Sequence, residues 1–291
     1  MCFSRWGFGV FLPLTLLTTI MPAAAADHNA DGDNGQSNTA DSTAAQTTGV
    51  YSVADAFSEQ WKFQLGAGAL NVPRYPGSRD DVNRGIPVVN ISYDRYFIGG
   101  GPGSGAPAGF GAFLLHTEHW AVGVSAGGDT HKTRRASDAP ILNGWGDISG
   151  TVHGGLFANY TLDWLSVRGS ISASGHHEGV TATLGAAAKY RPIPRLTLSI
   201  GPEVTFVNSQ YAMTFFGVDT AQSEIAGIAP YRARGGVNSV GGSATANYKL
   251  TDHWSITALA TYGGLQGDAA NSPVTTDKTQ RVLGAFVAYG F

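Results

Sequence analysis

The sequence is short of cysteine, of charge and of long apolar runs, and each shortage excludes something. Its one cysteine is Cys2, at the extreme N-terminus. Charged residues fill only 13% of 291 positions, about half the quarter usual for a soluble domain, so an ordinary solvated surface is hard to build. With 18 bases, 21 acids and no basic stripe, nothing points to nucleic acid. The only long apolar run, Phe8 to Met21, is shorter than the roughly 20 residues of a spanning helix. H-E-x-x-H does not occur, G-x-S-x-G occurs only as Gly123-Val124-Ser125-Ala126-Gly127 inside the strand-like run 120–129 rather than at a strand-to-helix turn, and no cofactor motif is present. A non-enzymatic protein is therefore expected, although membrane-barrel hydrolases assemble their sites from distant loops.

The apolar run has Arg5 before it and Ala23-Ala24-Ala25-Ala26 after it. A basic start, a short apolar core and small residues at the end predict a signal peptide over 1–26, cleaved after Ala26. Cys2 falls in that leader, so the exported chain has no disulfide. Residues 27–57 carry Asp27, Asp31, Asp33, Asp41 and Asp55 with no lysine or arginine. Their polar, small-residue composition predicts a disordered acidic N-terminal extension, a solvated tail or a tether for something periplasmic. Beyond Arg5 and that extension, 17 bases face 16 acids, so the folded region 58–291 is almost neutral.

What is abundant is glycine, 40 residues, and alternation. Mean hydropathy is only −0.04 although 43% of residues are hydrophobic, as expected where apolar and small or polar residues take turns. Trp61, Phe63, Leu65, Ala67 and Ala69 share one parity against Lys62, Gln64, Gly66 and Gly68. Val180 to Tyr190, Leu196 to Phe206 and Trp254 to Tyr262 repeat the pattern. At the end, Leu283, Ala285, Val287, Tyr289 and Phe291 form one apolar face, which suits a terminal strand in a hydrophobic environment. The period predicts about twelve strands: 60–72, 86–94, 96–101, 109–116, 120–129, 148–160, 164–174, 180–190, 195–206, 236–248, 253–264 and 280–291. The fold class is all-β, a transmembrane antiparallel up-and-down β-barrel in a Gram-negative outer membrane.

An even count puts both termini on one side, expected to be periplasmic. It also sorts the connections: 94–95, 117–119, 161–163, 191–194 and 249–252 are short, while 73–85, 102–108, 130–147, 207–235 and 265–279 are long. Trp254 and Tyr262 lie eight residues apart, roughly 20 Å of membrane depth at a tilt of about 40°. Aromatic girdles are expected from Trp61, Tyr93, Tyr160, Tyr190, Tyr248, Trp254, Tyr262, Tyr289 and Phe291. Tyr211 to Val218 looks strand-like but breaks the parity as a spanning strand, so it is expected as a hairpin above the membrane or a segment inside the lumen. Small, Gly- and Ser-rich inner faces predict space within the barrel.

Three stretches resemble the MipA/OmpV family of outer-membrane proteins. They are Val72-Pro73-Arg74-Tyr75-Pro76-Gly77-Ser78, Phe215-Phe216-Gly217-Val218-Asp219-Thr220-Ala221-Gln222-Ser223, and Gly267-Asp268-Ala269-Ala270-Asn271-Ser272-Pro273-Val274. The resemblance covers about 60–291 and leaves out the leader and extension. It implies an outer-membrane barrel that scaffolds murein synthesis, bringing a lytic transglycosylase together with a bifunctional penicillin-binding protein. Porin-like and adhesive members make a solute channel or a surface adhesin the alternatives. No partner site at residue level accompanies the resemblance.

Each candidate site has a plainer reading beside it. Tyr75-Pro76-Gly77-Ser78 is either a recognition loop or the tight turn that Pro-Gly makes. Asp268, Ser272 and Pro273 are expected to order the last long loop through side-chain to backbone hydrogen bonds. His131, Lys132, Arg134 and Arg135 form a basic cluster that would pair with lipopolysaccharide phosphates if it faces outward, or else belong to a solvated loop. Lys62, Arg168, Lys189, Arg195 and Glu203 have the polar parity and are expected in the lumen. His176-His177-Glu178 lacks the spacing of a structural zinc site, and no metal is expected there.

Overall fold

The computed structural model describes residues 60–99, 109–128, 134–142, 145–148, 150–175 and 178–291. The expected leader and acidic extension, Lys132, His131 and His176-His177 lie outside them. Twelve strands run in chain order: β1 Lys62–Pro73, β2 Asp81–Tyr93, β3 Tyr96–Gly99, β4 Gly109–His116, β5 Trp120–Gly128 and β6 Val152–Thr161, then β7 Leu165–Ser174, β8 Gly179–Ile193, β9 Leu196–Val207, β10 Gly236–Lys249, β11 Trp254–Leu265 and β12 Thr279–Gly290. Each pairs antiparallel with its sequence neighbour, and β12 pairs with β1 from Gln64↔Gly290 to Asn71↔Leu283. The sheet is therefore a closed barrel, and among the described residues no helix is long and apolar enough to cross a membrane.

Alternation divides the wall as the sequence predicts. Leu65, Val89, Leu156, Val167, Ile171, Leu184, Ile200, Leu283 and Val287 are exposed on the outer face. Gln64, Asn90, Asn159, Arg168, Thr183, Glu203, Ser243 and Thr257 are buried on the inner one. A soluble barrel would expose the opposite set; a membrane barrel needs this one. At Phe113/Leu115 a register shift in β4 breaks the alternation, and the consecutive Leu114 and Leu115 both stay exposed.

Boundaries depart from expectation by four or five residues at two places. β2 begins at Asp81 rather than 86, and its ladder with β1 runs through Ala67↔Pro87 to Pro73↔Asp81. Its pairing with β3 covers only Ile91 to Tyr93, so Pro87 has a single described strand neighbour, where a missing N–H is tolerated. β6 begins at Val152 rather than 148. Ile148 instead bridges Arg134 within the preceding connection, its N–H donating to the Arg134 carbonyl at 2.8 Å.

Eight of the nine expected girdle aromatics gather near the short turns. Trp61 stacks on Tyr93 at 4.7 Å, Tyr160 lies tilted against Trp120 at 4.9 Å, and Tyr289 meets Trp254 at 5.0 Å and Phe291 at 4.8 Å. Tyr190 and Tyr248 lie along the same rim, while Tyr262 stands exposed toward the other. Trp120, Trp164 and Tyr96 join this rim and were not expected in it, since each sits where a turn meets a strand. The Phe291 N–H donates to the Phe63 carbonyl at 2.9 Å, so the last residue locks onto β1. Deleting Tyr289 to Phe291 removes that bond and the aromatic cluster together. The truncated chain should lose the heat-modifiable band of a folded barrel; retention of that band would contradict the closing role.

Candidate functional site

Long connections at the far rim fold into a cap. The connection between β9 and β10, expected as a strand-like hairpin or luminal segment, is instead two helices, α1 Ser209–Phe216 and α2 Thr220–Ala226. The apolar spacing of Tyr211, Ala212, Phe215 and Phe216 fits one side of a helix, and all four are buried. Local capping decides against a strand. Asn208 Oδ1 accepts the Tyr211 N–H at 2.9 Å and the Val180 N–H at 3.0 Å, starting α1 and tying it to β8. Asp219 and Gln222 form a reciprocal capping box on α2, at 2.8 and 3.0 Å.

The three sequence stretches, far apart in the chain, meet here. Ser272 Oγ, after the short helix α3 Gly267–Ala270, donates to the Phe216 carbonyl at 2.6 Å and accepts the Val274 N–H at 3.2 Å. Tyr75 Oη donates to the Val274 carbonyl at 3.4 Å, and the Gly77 carbonyl accepts the Thr276 N–H at 2.7 Å. Gly77 has φ +91, which explains a glycine after Pro76. Gly217 packs so close to Met213 that a Cβ would lie 2.6 Å from the Met213 carbonyl oxygen. Asp268 Oδ2 accepts both the backbone N–H and Nε–H of Arg234, at 2.9 and 3.1 Å, which hold its carboxyl below the usual carboxylate range. Ser272 thus orders its own loop through Val274, as expected, and both Asp268 and Ser272 also tie that loop to the β9–β10 connection. Pro73, Pro76 and Ser78 are buried beside Tyr75, and Ala269 lies in the core around α1. Gln222 and Ser223 serve α2, and Val218 makes a two-bond bridge to Tyr231.

Two apolar cores hold the cap. One contains Val207, Tyr211, Ala212, Phe215, Phe216, Ala233, Leu265, Ala269 and Ala270; the other contains Tyr75, Leu142, Trp145, Val218 and Val274. In a ring of twelve strands, the β5–β6 connection that carries Leu142 and Trp145 lies diametrically opposite the β11–β12 connection that carries Val274. A cluster containing both must cross the mouth of the barrel.

The basic cluster divides accordingly. Lys132 lies outside the described residues, and Arg135 is exposed. Arg134 is only 2% exposed, so it is not a lipopolysaccharide contact. Its Nη1 donates to the Phe215 carbonyl at 3.0 Å and its guanidinium lies 5.7 Å from the Trp145 ring centroid, while burial lowers its pKa to about 10. Sequence reading missed Trp145 and Leu142, although a tryptophan in a polar, Gly-rich loop is the signal that finds such an anchor.

The lumen is less open than its small residues suggest. Phe157 meets Phe97 and Phe113 edge to face, these two lie tilted against each other, and two of the rings lie over glycines, Phe97 on Gly111 and Phe157 on Gly123. Leu70, Val72, Val88, Leu259, Phe286 and Ala288 form a second apolar patch on the inner wall. Across β8, Arg168 pairs with Glu203 at 2.6 Å over Gly185, whose missing side chain leaves room for the contact. Arg195, expected in the lumen, sits in the β8–β9 turn and donates to the Leu250 carbonyl at 3.3 Å.

The family description "MltA-interacting protein MipA" matches residues 65–291, most of the chain and the whole barrel beyond the start of β1. The chain belongs to the MipA family. Comparison with curated proteins gives no match. Similar solved structures are distant: an OmpT loop-deletion mutant of Vibrio cholerae is 9% identical, with a TM-score of 0.36 and coverage of 81% of this chain and all of that one. The CymD monoaromatic hydrocarbon channel is 12% identical, with a TM-score of 0.40 and coverage of 85% and 90%. The outer-membrane channel DcaP of Acinetobacter baumannii is 7% identical, with a TM-score of 0.35 and coverage of 80% and 96%.

This MipA-family barrel, with its apolar outer belt and polar inner face, is a Gram-negative outer-membrane protein in contact with that membrane's lipids. Its cap also contains a titratable group. Glu178, at the β7–β8 turn, is buried with Oε1 unpartnered, and burial raises its pKa to about 7. The Tyr211 hydroxyl nearby is raised too, first by burial and then by the Glu178 charge. The folded state therefore favours protonated Glu178. Its stabilising contribution is full below pH about 4.5, falls as pH rises toward 7 and is gone above it. The thermal midpoint should decline across that window in the wild type and decline less in Glu178→Gln; equal slopes would contradict a buried, titrating Glu178.

Proposed function

We propose that this protein is a non-enzymatic outer-membrane scaffold, closed at its long-loop end, that brings murein-processing enzymes together at its periplasmic rim. The observation that carries the reading is the mouth-spanning cluster of Tyr75, Leu142, Trp145, Val218 and Val274, since a barrel sealed at one end is poorly suited to passive transport. The family description names interaction with MltA. By the resemblance set out above, a lytic transglycosylase and a bifunctional penicillin-binding protein are the partners; the even strand count and short turns lead us to set this rim toward the periplasm. β1 starts beside the terminal Phe291, so the sequence that precedes it, with the acidic residues 27–57, is the part we propose for partner contact at that rim. With turns as short as Asp94-Arg95, this segment is the most available surface for a partner.

A solute channel is the second reading. It is favoured by the hydroxyl-rich inner wall, where Ser199 bonds Thr245 and Asn247 donates to Thr257 at 2.7 Å. It requires the cap to open.

Pull-down of the two murein enzymes should succeed with the full chain and weaken without residues 27–57. Equal recovery would remove the role of the extension, and no recovery with the full chain would contradict the scaffold.

A further inference from the structure

The cap gathers guanidinium groups that its own contacts do not neutralise. Arg74 follows β1 and continues the inward parity of Leu70 and Val72, and Arg84 has the inward parity of β2, paired with Leu70. The two lie together, with Arg84 Nη2 donating to the Arg74 carbonyl at 3.4 Å. Arg134 and Arg135 arrive from the β5–β6 connection. The charges of Arg74, Arg135 and Asp138 all act on Arg84, and that of Asp138 acts on Arg134 as well. Asp138 is engaged by the Arg135 backbone N–H at 2.7 Å. Among the described residues, none of the four arginines has a carboxylate at ion-pair distance.

Donors are left over as well. Arg74 Nε, Arg134 Nε and the indole Nε1 of Trp145 are buried without a partner among the described residues. Stacking on Trp145 and the bond to Phe215 explain why Arg134 holds its place. They do not explain three unmatched N–H groups beside a concentration of like charge, which a purely structural cap would avoid.

We propose that Arg74, Arg84, Arg134 and Trp145 bind a small oxyanion, a phosphate or carboxylate group, on the luminal side of the cap. Guanidinium N–H groups match such oxygens in a bidentate fork, and a low dielectric strengthens the contact. The ligand enters through the lumen, since Arg74 and Arg84 are half-buried and inward in parity, whereas Arg134 and Trp145 are enclosed by the cap. The site does not depend on the scaffold reading.

Calorimetric titration of the full-length protein in detergent with inorganic phosphate, at constant ionic strength set by chloride, tests this. Acetate in a second titration separates a phosphate site from a carboxylate site. One-site saturable binding of either anion is expected. Arg74→Gln and Arg84→Gln should each weaken it by roughly tenfold or more. Both variants spare the Arg134 contact to Phe215, and unchanged heat modifiability verifies their folding. No saturable binding of either anion, or equal affinity in the folded variants, would overturn the proposal.

Discussion

Closure of the backbone hydrogen-bond ring between β12 and β1 is the constraint on which everything else rests. In hydrocarbon an unpaired N–H or carbonyl costs several kcal/mol, so an open twelve-strand sheet would not survive in a membrane. Once β12 lies along β1 from Gln64↔Gly290 to Asn71↔Leu283, every strand has two neighbours and each side chain has a fixed side. The outer face can then be uniformly apolar. The inner face is free to carry groups that lipid would reject, such as Arg168 with Glu203 and the Ser199–Thr245 pair.

That division leaves the inside to be filled, and the chain fills it unevenly. Rings of Phe97 and Phe157 lie over glycines on one side of the barrel, and Leu70, Leu259 and Phe286 pack on another. The far end is filled by folded loops. Four connections contribute to the cap cores; the bonds from Ser272 to Phe216 and from Tyr75 to Val274 fasten neighbouring ones, and the bond from Arg134 to Phe215 ties in the β5–β6 connection from across the ring. These contacts give the three family stretches a shared structural purpose: their residues build the cap. The unsatisfied arginine and indole donors around Arg134 then stand out as something this packing does not require.

The barrel was legible because membrane strands impose a strict period of two over long runs, and all twelve expected segments correspond to strands. The departures have local causes. The alternation predicts β2 from 86, yet the strand starts at Asp81 and Pro87 stands in its interior, where a proline N–H is not needed. Ile148 extends the alternation of β6 but bridges Arg134 instead. Tyr211 to Phe216 is short enough for its apolar residues to suit either period, and the deciding signals were Asn208 and Asp219 as N-caps. The cap was less legible than the wall, because contacts between connections on opposite sides of a ring leave no periodic trace. Arg134 illustrates this: in sequence it belongs to a basic surface cluster, and only the fold buries it against Trp145.

The central claim is that the cap seals one end of an otherwise open wall, and electrical conductance measures that directly. In planar bilayers the full chain should give no steady current, whereas a variant with residues 209–234 replaced by a short Gly/Ser linker should give stable single-channel steps. Steady conductance from the intact protein, equal to that of the linker variant, would contradict a sealed barrel and make the channel reading the better one.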